Sequence, residues 1–277
     1  MSKPRVSKPR VKGALSTYTI TMAESGENHA GMQIIGTKAK DGFTAAELGQ
    51  LGHYALSKEF KVEFHRLDAL LSEEHRKMLS AEALDSACIL IIRNGVELFH
   101  PGERAAAFKA ETRAIEDQVD KKAFMKGKVV NKLARWNLCY GDCKQAPDYE
   151  AKKGTIVPFS EVPYLNHIRT CLPLLLGPKA KDLIGELNYY YDNSKCGINY
   201  HGDAERTRVV GIRVGASLPL VFYWHLGKPT ARVSAPARFD IHDGDIYVMG
   251  AKAVGTDWRK QLIPTLRHAA GCDKYIE

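Results

Sequence analysis

At 277 residues, 44% of them hydrophobic and 26% charged, the chain is long enough to bury one large core, or a core plus a smaller module. No run approaches the ~18 consecutive apolar residues of a membrane span, the N-terminus lacks the apolar stretch of a secretory signal, and the six scattered cysteines read as reduced thiols. The expectation is therefore an intracellular protein, cytoplasmic or nuclear, with no membrane partner. The net charge of +8 is unevenly spread: residues 1–12 hold Lys3, Arg5, Lys8, Arg10 and Lys12 with no acid, which leaves +3 for the rest and excludes a uniformly basic body.

In chain order, residues 1–16 open with the tandem SKPRV SKPRV, whose prolines prevent helix and whose charges repel, so a disordered basic arm is expected. Such an arm either tracks phosphates by counterion release or serves solubility and targeting. Residues 17–35 alternate at both ends and predict a hairpin around Ser25-Gly26. Thr44 followed by Glu47 is a capping-box pattern opening a helix to about Leu56, and a charged helical stretch follows over Ser72 to Leu79. ACILIIRNGVELF (87–99) predicts strand, Asn94-Gly95 turn and second strand, and 101–130 predicts helix. This gives an α/β N-terminal module over 17–125.

From 126 to 277 the pattern changes. Residues 161–187 offer two short helices broken near Gly177-Pro178. Strand-like runs follow at 209–216, 219–226, 230–235, 237–241 and 245–249. Short strands after helices predict an α+β protein whose core is a curled antiparallel sheet, a sandwich or jelly roll. Cys139 and Cys143 stand four apart with no second pair at metal-ligand spacing, which argues against zinc.

The segment INYHGDAER (198–206) bears the chemistry. Residues i and i+2 of a strand project from one face, so His201 and Asp203 can converge, with Gly202 leaving the backbone uncrowded. An imidazole and a carboxylate plus one more histidine make a facial triad suited to iron(II). A His-x-Asp alone also fits a turn with an Asp cap. His225 and His242 read better as structural or surface histidines than as ligands.

The surroundings resemble the AlkB family of iron(II)- and 2-oxoglutarate-dependent nucleic-acid dioxygenases. Asn188-Tyr189-Tyr190 precedes His201 as the family's Asn-x-Tyr precedes its His-x-Asp, and Glu205-Arg206 continue the motif. ARWNLCYGD (134–142) is similar to the family's substrate-covering segment, Val162-Pro163 to its next landmark, and GDIYVM (244–249) to the strand before its last ligand. The resemblance covers roughly residues 130–277. It implies a double-stranded β-helix (jelly-roll) dioxygenase domain over 126–277, using Fe(II), 2-oxoglutarate and O2, with DNA or RNA as partner; it sets no oligomeric state. It further implies that Asn188 and Tyr190 bind the cosubstrate, and that Arg135, Trp136, Tyr140, Asp142 and Glu205 bind substrate.

The family's terminal His and Arg-x-Asn-x-Thr-x-Arg are replaced by TDWRKQLIPTLRHAAGCDKYIE, and two registers compete. In one, Arg267 grips 2-oxoglutarate and Asp257 stands nearest the third ligand position. In the other, His268 completes the triad and Arg213, a cation within the apolar run VVGIRVGA, grips the distal carboxylate with a bidentate pair. The second is favoured here, with Arg267 the alternative anchor. The implied reaction hydroxylates a methyl or alkyl group on a base, ending in demethylation or a lasting modification. Two other readings stay open: the same chemistry on a protein side chain or metabolite, and a binding module with a decayed site.

Overall fold

TYTITMA alternates polar and apolar side chains, and in the computed structural model, which describes residues 15–277, it forms β1 (Thr17–Ala23). Only the last two residues of the expected basic arm fall within the described part. After β1 come the short β2 (Ser25–Glu27) and β3 (Ile34–Gly36), then α1 (Ala45–Ser57). Thr44 and Glu47 cap α1 reciprocally: the Glu47 N–H donates to Thr44 Oγ1 at 3.2 Å and the Thr44 N–H to Glu47 Oε2 at 2.8 Å. Then follow β4 (Val62–Arg66), the one-turn helices α2 (Glu73–Arg76) and α3 (Ala81–Asp85), the wholly buried β5 (Cys88–Ile92), α4 (Glu103–Ala114), the ribbon β6 (Lys122–Met125) and β7 (Lys128–Asn131), β8 (Trp136–Gly141), β9 (Ile156–Pro158) and α5 (Pro163–Leu176). The remainder is β10 (Ile184–Tyr190), β11 (Gly197–His201), β12 (Val209–Gly215), β13 (Leu218–Leu226), β14 (Ala231–Arg232), β15 (Ala237–Ile241), β16 (Ile246–Met249), α6 (Ala251–Val254), β17 (Thr265–Gly271) and α7 (Asp273–Ile276).

The fold is mixed α/β and mostly sheet. Eight strands run β4-β5-β16-β12-β1-β10-β8-β9, antiparallel except at β8-β9, and a second antiparallel sheet runs β11-β17-β13-β14 with β15 on β13. Among the described residues neither sheet closes into a barrel. Strand alternation divides the large sheet's side chains between two cores. Tyr18, Ile20, Leu138, Leu187, Ile212 and Val248 pack on one face with Leu48 and Leu51 of α1, Phe108 of α4 and Leu165 and Ile168 of α5. The other face meets the second sheet through Tyr190, Val209, Tyr247 and Met249 against Leu220, Phe222, Trp224 and Leu266. Indole Nε1 of buried Trp224 donates to Leu67 O at 2.8 Å, satisfying its polar atom.

Several expected elements differ: beyond Gly177 the second expected helix is only a 3-10 turn over Pro178–Ala180 followed by β10, and the strand expected over 230–235 shortens to β14. β1 is no hairpin arm but the centre of the large sheet, paired with β10 and β12, and only β2 and β3 pair locally. After β5 there is no second strand: β4 and β16 already occupy both its edges, and Gly95–Leu98 winds into a 3-10 turn after Asn94 at φ 53°. The helix expected over 101–130 ends at Ala114 and a 3-10 turn, and MKGKVV forms the β6-β7 ribbon, with Lys126 and Gly127 at φ 49° and 81° in its turn. β4, β5 and β1, from 17–125, share the large sheet with β16, β12, β10, β8 and β9, from 126–277.

Candidate metal centre and adjoining cleft

His201 ends β11 directly opposite His268 of β17, and Asp203 follows two residues later. His201 Nε2 lies 3.5 Å, and His268 Nε2 3.9 Å, from the same Asp203 Oδ1. One ligand atom from each of the three lies within 4.8 Å of the others, the single such group of His, Cys, Asp and Glu among the described residues. His201 Nδ1 sits 2.8 Å from Asn199 O; a proton there donates to the carbonyl and leaves Nε2 with a free lone pair. Burial, then the neighbouring His201, holds His268 neutral by pushing its pKa down to about 4. Burial alone would raise Asp203, but Arg206 and then the two histidines outweigh it and keep the carboxyl well below its ordinary range. Two imidazoles and an ionised carboxylate are the donor set of a facial triad, and they fit a divalent transition ion. Gly202 is required: a Cβ there would lie 2.0 Å from Gly255 O and 2.8 Å from Trp258 Cβ.

Across a cavity of about 70 Å³ from the triad, the large sheet presents Thr19, Asn188, Tyr190, Arg213 and Tyr247. Four of its strands contribute one polar row, since Arg213 pairs with Thr19, Thr19 with Asn188, and Asn188 with Asn137. Arg213 is 1% exposed, and its Nε and Nη1 have no hydrogen-bond partner; Thr19 Oγ1 has none either. Burial lowers the guanidinium's pKa, offset in part by Tyr247, Tyr190 and Asp245. Asn188 Oδ1 accepts from Arg135 Nε at 2.6 Å and from Asn137 Nδ2.

An outer cleft of about 460 Å³ shares His201, Asp203 and Arg206 with this cavity and is lined further by Glu27, His29, Arg135, Glu205 and Trp258. Arg206 is buried between carboxylates: Nη2 donates to Glu186 and, at 2.6 Å, to Glu205, and Nε lies 3.6 Å from Asp203 Oδ2. Arg206 thus sets a positive charge against the Asp203 carboxylate. With Thr19, Glu186, Tyr247 and Trp258, it extends the site beyond the residues expected from sequence. The polar parity of TYTITMA and the Glu-Arg after the His-x-Asp were the available signals for Thr19 and Arg206.

Five expected residues are not brought here, counting the alternative ligand Asp257. Arg267 lies on the opposite face of β17 from His268, beside Tyr223 of β13, with its guanidinium 5.2 Å from the Trp258 ring and Nη2 donating to Trp258 O at 2.9 Å. Trp136 and Tyr140 share the parity of Leu138, so they face the helix-side core, where Trp136 stacks on Tyr191 at 4.3 Å and Tyr140 on Phe159 at 6.3 Å. Asp142, beyond the end of β8, is exposed and pairs with Arg169 at 2.9 Å. Asp257, the alternative third ligand, accepts from Lys252 Nζ at 2.7 Å.

The sequence matches no model of a known protein family. It is 39% identical over 261 residues to "Uncharacterized protein R156" of Acanthamoeba polyphaga mimivirus, an alignment covering 94% of this chain and 98% of that protein.

Proposed function

The chain belongs to the same family as that mimivirus protein, and for it we propose an AlkB-like iron(II)- and 2-oxoglutarate-dependent dioxygenase that hydroxylates a methyl or alkyl group on a nucleic-acid base. The observation that carries this reading is the buried, unpartnered Arg213 facing the same cavity as His201, Asp203 and His268. A buried cation with free N–H groups is costly unless an anion joins it. The distal carboxylate of 2-oxoglutarate is an anion of matching geometry for a guanidinium fork.

His201, Asp203 and His268 would hold the metal. Iron(II) bound there, with 2-oxoglutarate and oxygen, supplies insertion of one oxygen atom into a substrate C–H bond while the cosubstrate leaves as succinate and carbon dioxide. The chain's own groups bind and orient. Arg213 anchors the cosubstrate, with the Thr19 and Tyr190 hydroxyls beside it, and Arg206 keeps Asp203 ionised and aimed. Arg135 ties the outer cleft to Asn188 in the cavity wall, so substrate and cosubstrate would meet over the triad. The face-to-face antiparallel sheets, with helices outside the larger, are compatible with the family's double-stranded β-helix. The outer cleft suits a base presented out of its stack.

Titration with Mn(II), followed by electron paramagnetic resonance, tests the centre: one ion per chain is expected, lost in His201→Ala, Asp203→Ala and His268→Ala and kept in Asp257→Asn. Succinate release with iron(II) should then rise with methylated oligonucleotides. Full Mn(II) binding in the three alanine variants would overturn the assignment.

A further inference from the structure

Residues 121–153 hold eight lysines and Arg135 against Asp142, Asp148 and Glu150, a net charge of +6. Residues 13–277 total only +3, so the rest of that span carries a net −3 and this segment is the most basic stretch of it. Part of this charge is gathered on one face. Lys122, Lys126 and Lys128 are exposed on the β6-β7 ribbon, and Lys152 reaches over the Phe124 ring at 5.4 Å, joining the loop before β9 to the ribbon. Asp142 is already engaged by Arg169, while Lys132 is buried and Lys144 pairs with Glu161 at 2.7 Å, so the lysines left to the surface are chiefly those of the ribbon and Lys152.

The surface borders the candidate site. Ala134 and Arg135, which line the outer cleft, follow β7 within a few residues. Behind them, buried Lys132 Nζ donates to Asn28 Oδ1 at 2.6 Å, and Asn28 is itself part of the cleft wall. Leu133 (77%) and Met125 (36%) are exposed among the lysines, apolar surface of the kind on which unstacked bases rest. Lysine ammoniums are point charges with no planar fork, suited to phosphates spaced along a flexible strand rather than to one oriented carboxylate.

We propose that the β6-β7 ribbon and the loop over residues 142–153 form a phosphate-binding surface that holds the backbone of a single-stranded nucleic acid beside the cleft. It deepens the function proposed above, resting on that reading for the base but not for the backbone. The substrate is then a polynucleotide, and an isolated nucleoside lacks the phosphates this surface takes.

The test uses the full chain and a fluorescein-labelled, unmodified twelve-nucleotide single-stranded DNA, with binding read by anisotropy from 50 to 300 mM salt. Each phosphate contact contributes about 0.7 to the slope of log K against log salt for single strands. The triple variant Lys122→Glu/Lys126→Glu/Lys128→Glu should therefore lose about 2 from that slope and on the order of 100-fold in affinity at 50 mM salt. The arm over residues 1–12 is present in both proteins, so the difference reports the ribbon alone. Mn(II) titration of the same samples separates the two claims: a reduced slope supports the surface whether or not the metal binds, whereas absent metal binding counts only against the dioxygenase. An unchanged slope in a variant with native circular dichroism overturns the proposal. So does wild-type binding of poly-L-glutamate as tight as that of the oligonucleotide, which would make this a dock for acidic proteins.

Discussion

Arg213→Met should raise the stability of the ligand-free protein and abolish its stabilisation by 2-oxoglutarate. Arg213 is 1% exposed, sits between the two sheets and leaves Nε and Nη1 unpartnered. A buried polar group without a partner costs about 1–3 kcal/mol, and even a buried ion pair can be replaced by apolar side chains with an effect from neutral to about 1–4 kcal/mol stabilising. Two such N–H groups place the expected gain near ~3 kcal/mol, or roughly 6–12 °C in Tm for a protein of this size. Cosubstrate binding moves the other way. Hydrogen bonds to a charged group contribute about 1.5–3 kcal/mol each, so losing the guanidinium should weaken 2-oxoglutarate on the order of 100-fold. Thermal unfolding with Mn(II), with and without 2-oxoglutarate, reads both effects. Wild type at a hundredfold excess over Kd should gain about 2.7 kcal/mol and the variant almost nothing. A lower Tm for ligand-free Arg213→Met would show that the guanidinium stabilises the fold, and the anchor would have to be sought elsewhere.

Glu27 lines the outer cleft, where burial and then the Glu205 and Glu186 carboxylates push its pKa from 4.5 up to about 7, against a smaller opposing pull from the Gly31 backbone and Arg206. The folded state keeps a proton that the unfolded chain has released, so this contribution to stability falls as pH rises from about 4.5 to 7 and is absent above. Glu27→Gln should remove that slope and be more stable at pH 8, by on the order of 1 kcal/mol once solvent screening in the open cleft is allowed for; urea unfolding at pH 5 and pH 8 checks it, and parallel pH dependence in both proteins would refute it. Gly202→Ala should lose Mn(II) while keeping its circular dichroism, because a methyl 2.0 Å from Gly255 O must move the loop that sets Asp203 against the histidines; unchanged metal affinity would show that the loop tolerates the shift.

Local signals in the sequence reached the local structure. The Thr44-Glu47 box, the break at Gly177-Pro178 and the strands at 209–215, 218–226, 237–241 and 246–249 all follow from short-range chemistry. Pairing did not. TYTITMA reads the same as a hairpin arm or as the centre of a sheet, because alternation fixes which side chains share a face but not which strand lies alongside. NGVEL has hairpin turn chemistry and still forms a 3-10 turn, since both edges of β5 are taken by strands distant in sequence.

The candidate site follows the same division. His201 closes β11 and Asp203 sits in the loop after it, its N–H donating to Val254 O at 3.0 Å, so the strand's i, i+2 rule does not reach it; His268 meets them only because β17 pairs with β11, which no local pattern encodes. ARWNLCYGD contained its own warning: polar Arg135 and Asn137 alternate with apolar Trp136, Leu138 and Tyr140, so as a strand it sends the aromatics to the helix-side core. The same parity in β1, β10 and β12 aligns Arg213, Thr19, Asn188 and Asn137 across four strands, on a face otherwise packed with Val209, Tyr247, Met249, Phe222 and Leu266. A polar row through an apolar interlayer costs stability at each member whose bonds are unmade, and two members, Arg213 and Thr19, are left with unmade bonds. Packing alone would favour valine or isoleucine at both positions. A row that is polar in each of four separate strands, with its unpartnered cation facing two histidines and a carboxylate, is what the carboxylate of the proposed cosubstrate would complete.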